Sequence, residues 1–92
     1  MVGCLAVSKA GHDKDEIYLI IKEEKDSIYL ADGKRKTVSV PKKKNKKHIQ
    51  IIKHGPVTVQ ADELKRKLID GQPVRDEEIK YVIKQYQRKS EV

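Results

Sequence analysis

The stretch Glu16-Ile17-Tyr18-Leu19-Ile20-Ile21-Lys22 decides the fold. Its five central residues are β-branched, aromatic or aliphatic, the side chains that a pleated strand accommodates best. A strand with one wet face alternates apolar and polar residues, whereas an unbroken apolar run predicts burial on both faces, as where a sheet curls into a barrel. This is also the longest apolar run in the chain. It falls far short of the roughly 20 residues that a membrane-spanning helix needs.

Turn signals divide the chain on either side of this strand. Upstream, Cys4 to Lys9 reads as a strand ended by Ala10-Gly11. Downstream, Ser27 to Leu30 and Lys36 to Val40 read as a hairpin around Asp32-Gly33. A strict two-residue Asp-Gly turn would set Ile28 and Leu30 on the opposite face from Val38 and Val40. The loop Ala31-Asp32-Gly33 puts all four on one face, with Gly33 left-handed, and leaves Tyr29, Arg35, Thr37 and Ser39 outside. A fifth strand, Ile49 to Lys53, stops at His54-Gly55-Pro56. Five short strands in so few residues predict a small five-stranded SH3-like barrel over residues 1–55. Residues 56–92 change period. Ala61, Leu64 and Leu68 predict a helix over 61–69, stopped by Gly71 and Pro73. Asp76 is a suitable N-cap for a second helix over 77–88, whose apolar stripe is Ile79, Val82, Ile83 and Tyr86. The fold class is therefore mainly β with an α tail. The two short C-terminal helices are expected to pack on the barrel or on each other, a partner-binding face being the alternative.

The chain has 92 residues with 21 Lys or Arg against 14 Asp or Glu, for a net charge of +7. A domain of this size buries only about 60% of its unfolded surface. That leaves little room for a large cofactor site or a deep multi-residue catalytic cleft. Charge distribution says more than the total. Residues 1–33 carry 4 basic and 7 acidic side chains, residues 34–55 carry 9 basic and none acidic, and residues 56–92 carry 8 and 7. One segment therefore holds more than the whole excess. Its densest part is Pro41-Lys-Lys-Lys-Asn-Lys-Lys-His48, read as a basic loop over 41–48 pinned at both ends by strands. A pinned loop presents its charges in one place, which favours an anionic partner through phosphate contacts. An anionic membrane fits less well, because no large apolar anchors adjoin the lysines.

Catalysis is not expected. His12 beside Asp13, with His48 and His54, offers acid–base residue types, but neighbours on a turn seldom align as a catalytic pair. Cys4 and the three histidines lack zinc-ligand spacing, and the five glycines are too scattered for a nucleotide loop, so neither metal nor cofactor is predicted. A single cysteine rules out an internal disulfide and suits a reducing, cytoplasmic compartment. The N-terminus lacks the basic region of a secretory signal.

Leu5-Ala-Val-Ser-Lys-Ala-Gly11-His-Asp-Lys14, followed by the apolar strand Ile17–Ile21, resembles a KOW motif. Asp32-Gly33, Val38, Pro41-Lys42-Lys43-Lys44 and Lys47-His48 extend the likeness to the small bacterial KOW-domain proteins related to a large-subunit ribosomal protein of archaea and eukaryotes. It covers roughly residues 3–54, with a looser match at Asp76-Glu-Glu-Ile79. The resemblance implies an SH3-like barrel that binds RNA within or near the ribosome, with the glycine-centred turn, here Gly11, His12 and Lys14, as a contact. One departure is Asp15, where a second glycine is usual. The expected RNA contacts are that turn with Lys9, Lys34, Arg35, Lys36, Lys42, Lys43, Lys44, Lys46, Lys47, His48 and Lys53. Arg35 could grip a phosphate or stack on a base, and an exposed Tyr29 could stack on one. The lysine-rich, aromatic-poor surface favours structured RNA, such as rRNA, over single-strand readout. A protein-interaction barrel docked to a translation or transcription assembly is the alternative. A ribosomal or other protein could also dock on the C-terminal helices, and the chain itself is expected to be a monomer.

Overall fold

The computed structural model describes residues 1–53 and 59–90, and side chains as far as residue 88. The expected stop at His54-Gly55-Pro56 and the division between 55 and 56 lie outside the described residues. The chain runs through β1 (Leu5–Ser8), β2 (Ile17–Glu23), β3 (Ser27–Ala31), β4 (Lys42–Asn45), a 3-10 turn (Lys46–His48), β5 (Ile49–Ile51), α1 (Val59–Ile69) and α2 (Asp76–Ser90). The strands form one antiparallel sheet in the order β4-β3-β2-β1-β5. Mainly β with a two-helix tail is thus the observed class.

β2 is covered on both sides, as its unbroken apolar run predicts. Leu19 faces a core shared with Leu5, Ala31 and the helical residues Leu64, Ile79, Val82 and Ile83. Tyr18 and Ile20 face a second core with Ala6, Ile28 and Leu30, against which Cys4, Ile49 and Ile51 pack. The helical stripes are therefore spent on the first core, which settles where their apolar faces go. The expected helix limits shift by about a turn or less. α1 ends where the Gln72 amide donates to the Lys67 carbonyl at 2.8 Å, with Gly71 at φ 73°.

The fourth strand is a correction. It is Lys42–Asn45, not Lys36–Val40, and it pairs Ile28 with Lys44, Tyr29 with Lys43 and Leu30 with Lys42. The backbone amides of the intervening segment are committed elsewhere. Asp32 Oδ1 accepts from the Lys34 and Lys36 amides, both at 2.9 Å. The Val40 amide donates to the Thr37 carbonyl, and the Val38 amide to Asp76 Oδ1 at 2.9 Å. With those donors used, residues 34–41 make turns. Val38 packs on the helix-side core, while Val40 is 68% exposed. Gly33 does take the expected left-handed conformation, at φ 80°. Asp76 lies in the first turn of α2, and its carboxylate reaches across to the 38-loop.

β4 and β5 are the two edges of the sheet, and among the described residues no backbone ladder joins them into a closed barrel. The sheet nevertheless curls. β4 lies three strand spacings from β1, about 14 Å in a flat sheet, yet the Lys44 ammonium reaches the Ala10 carbonyl just past β1 at 2.7 Å. A register shift between Ile20 and Lys22 opposite β3 supplies part of the bend. Side chains, rather than a fifth ladder, close the inner core.

Candidate nucleic-acid interface

The alternation of a strand sorts the lysine run into two sets. Lys42 and Lys44 lie on the same face as Leu30 and Ile28, so their stems cover the inner core; Lys43 lies outside with Tyr29. The inward ammonium groups need a counter-charge, and Asp13 supplies it. Lys42 Nζ meets Asp13 Oδ2 and Lys44 Nζ meets Asp13 Oδ1, each at 2.7 Å. The Ser8 hydroxyl donates to Oδ1 at 3.0 Å, and the Tyr18 hydroxyl to Oδ2 at 3.1 Å. Lys44 also contacts the Ser8 hydroxyl oxygen, and its side chain is 9% exposed. The basic loop expected over 41–48 is thus a strand and a 3-10 turn, and Lys44 is a structural group rather than a free cation.

Burial alone would raise the Asp13 carboxyl, but the hydrogen bonds from Lys42, Lys44, Ser8 and Tyr18 outweigh it and hold the group far below the usual carboxylate range. Burial, then the adjacent Asp13 charge, hold the Tyr18 phenol well above its ordinary value. A phenol raised in the folded state stabilises the fold fully below the unfolded tyrosine value near pH 10, and that stability is lost as pH rises further. Tyr18→Phe is therefore expected to cost about 1 kcal/mol at neutral pH and to flatten the alkaline limb of a denaturation profile. An alkaline limb as steep as the parent's would disprove the link.

The turn that carries Asp13 is tightly tied. The Asp15 amide donates to the Ser8 carbonyl at 2.9 Å and the Glu16 amide to the Asp13 carbonyl at 3.0 Å. Gly11 has φ 86° and Asp15 has φ 73°. Asp15 therefore holds a left-handed backbone that glycine adopts freely and aspartate adopts at some cost. His12 is exposed, and its neighbour Asp13 is engaged by other groups, so the two do not pair.

Of the remaining predicted cations, Lys53 stands apart: it follows β5 at the Leu5 end of β1, beside Gly3 and Lys65 of α1. The others gather at the opposite end. The Lys9 amide donates to the His48 carbonyl at 2.7 Å, which sets Lys9 beside the 3-10 turn carrying Lys47 and His48. A cleft of about 390 Å³ joins His12 to Lys34, Arg35, Lys36 and Lys42, with the carboxylates of Asp13, Glu16 and Asp32 also in its lining. Lys9, His12, Lys14, Lys34, Arg35, Lys47, His48 and Lys53 are exposed, and Lys36 is half-buried. Lys46 is held by Glu23 at 2.8 Å, and Lys43 lies 3.5 Å from Glu24. Hydrogen bonds from Lys46 and the N-terminal amine lower the Glu23 carboxyl.

Tyr29 does not offer an open ring for a base. Lys22 and Lys43 sit 5.2 and 5.8 Å from its centroid, and the residue is half-buried. Tyr18 is buried in the inner core. What sequence reasoning missed is Asp13 as the hub of the inner face. The available signal was an acidic residue on a turn of a chain with surplus lysine on a strand of period two. Among the described residues no cluster of three or more His, Cys, Asp or Glu is placed to hold a metal ion, and no helix is long and apolar enough to cross a membrane. The chain matches no described protein family, and no characterised protein is significantly similar to it.

Proposed function

We propose that this domain is a KOW-like RNA-binding protein of the cytoplasm, associated with rRNA or the ribosome, that grips the phosphate backbone of structured RNA. The observation that carries the reading is the convergence of separate basic segments on one rim: Lys9, the 11–14 turn, the 34–36 turn and the 3-10 turn with Lys47 and His48. Lysines supply affinity and salt dependence without sequence readout. Both sheet tyrosines are already occupied, which favours backbone recognition over base stacking.

The test uses a labelled RNA hairpin and a salt titration. Binding should weaken steeply with salt, by nearly one power of concentration per phosphate contacted. The variant Lys34→Glu, Arg35→Glu, Lys47→Glu should lose at least roughly tenfold in affinity with its thermal melt unchanged. Lys42 and Lys44 are left intact, because reversing them would break the core. A triple variant that binds like the parent would sink the reading. Gradient sedimentation of lysate, with and without ribonuclease, separates the alternatives. A ribonuclease-sensitive position with large subunits supports the ribosomal reading, and a light, insensitive position favours a protein-interaction role.

A further inference from the structure

We propose that α2 forms a second arm of the RNA-binding surface, in which Lys80, Lys84 and Arg88 take phosphates of the same structured RNA that the rim binds. The inference rests on the RNA reading and extends it to residues outside the sheet. These three side chains recur at i, i+4 and i+8, all exposed, on the side of α2 away from the buried Ile79, Val82 and Ile83.

Two observations set this stripe apart from an ordinary solvated helix face. Such a face usually mixes charge signs, whereas Ile79 through Ser90 contains four basic residues and no acidic one. Among the described residues, none of Lys80, Lys84 and Arg88 has an ion-pair partner, so like Lys34 and Arg35 of the rim they are available to an anion. The stripe is also continuous with the rim. A groove of about 490 Å³ between the 32–34 turn and α2 is lined by Lys34, Lys80 and Lys84, and it shares Glu16, Asp32 and Lys34 with the cleft at His12.

The spacing between the two arms is fixed by packing. A Cβ on Gly33 would collide with the Asp76 carbonyl and come within 2.9 Å of the Lys80 stem, so turn and helix are in direct contact. The Val38 amide bond to Asp76 ties the same loop to the same helix. A rigid pair of cationic arms suits a partner whose phosphates are themselves rigidly spaced, which is a duplex stem rather than a flexible strand. Glu16, Asp32 and Glu77 line the groove and oppose a phosphate there. They define the side of the track along which the backbone cannot pass.

The full chain and the labelled RNA hairpin, with at least one helical turn of stem, test this. Lys80→Ala, Lys84→Ala, Arg88→Ala should weaken binding roughly tenfold at about 0.1 M salt and lower the log–log salt slope by about 2 to 3. Glu77→Gln should shift affinity the other way. Circular dichroism and a thermal melt matching the parent's exclude a folding defect, and Lys80→Ala or Lys84→Ala alone, each lowering the slope by about 1, gives the same reading with less perturbation. If the parent binds, the Lys34, Arg35, Lys47 variant fails, and the helix variants keep the parental slope, this inference is overturned while the RNA reading stands. If the parent binds no hairpin at any salt, the RNA reading itself fails and takes the inference with it.

Discussion

Asp13→Ala is expected to destabilise the domain by about 3 to 5 kcal/mol. The carboxylate is 11% exposed and holds two ammonium groups, one of them on a side chain only 9% exposed. Removing it costs more than the ion pairs contribute. Lys42 is 31% exposed and can turn to solvent, but Lys44 is left with an uncompensated charge over an apolar floor. Stability in a domain of this size is on the order of 5 to 10 kcal/mol, so the loss is a large share of the whole. The paired variant discriminates mechanism from general damage. Asp13→Asn with Lys44→Met removes both charges and keeps the stem volume, and it should recover most of what Asp13→Ala loses. A double variant as unstable as the single one would show that the charge pair is not the cause.

The same site fixes the acid response. A carboxylate lowered in the folded state stabilises the fold above its unfolded value, near pH 4, and that contribution is lost as pH falls further toward the folded value. The lowered Asp13 carboxyl therefore adds an acid limb below about pH 4, and the double variant lacks it. Urea midpoints measured down that limb provide the check.

How much of this was legible in the sequence depended on whether the deciding force was local. Residues Ile17–Ile21 announce a doubly buried strand because their β-branched and aromatic side chains favour a strand, and a strand removes five consecutive apolar side chains from water only when both its faces are covered. The stripe at Ile79, Val82 and Ile83 announces a packed helix for the same reason. Lys42–Asn45 could not be found that way. Lysine and asparagine are poor strand formers, and the segment is a strand because Asp13, 29 residues away, and the committed amides of 34–40 make it one. Val38 and Val40 were the better local candidates, and they lost to a long-range carboxylate at Asp76. The basic rim was legible to the same degree. Its charge could be counted in 34–55, but which lysines are free depends on strand parity. That parity followed from the register of a strand that begins at Lys42 rather than at the expected Lys36.

Gly33→Ala tests the other long-range contact, the seating of α2 on the sheet. Two costs add. The residue sits at φ 80°, where a Cβ costs about 1 to 2 kcal/mol. Its Cβ would also run into the Asp76 carbonyl and the Lys80 stem, and the carbonyl belongs to a helix that cannot move without opening the core at Ile79. We expect a total of about 3 to 4 kcal/mol. Gly71→Ala isolates the first cost, because Gly71 has φ 73° but nothing within 4 Å of an added Cβ, and it should lose only about 1 kcal/mol. Urea unfolding of the two variants side by side reads the difference. Equal losses would mean that the helix does not bear on the turn, and the rigid spacing between the basic rim and the cations of α2 would then lose its structural basis. A larger loss at Gly33, together with weakened protection of the Val38 amide from hydrogen exchange, ties both effects to one contact.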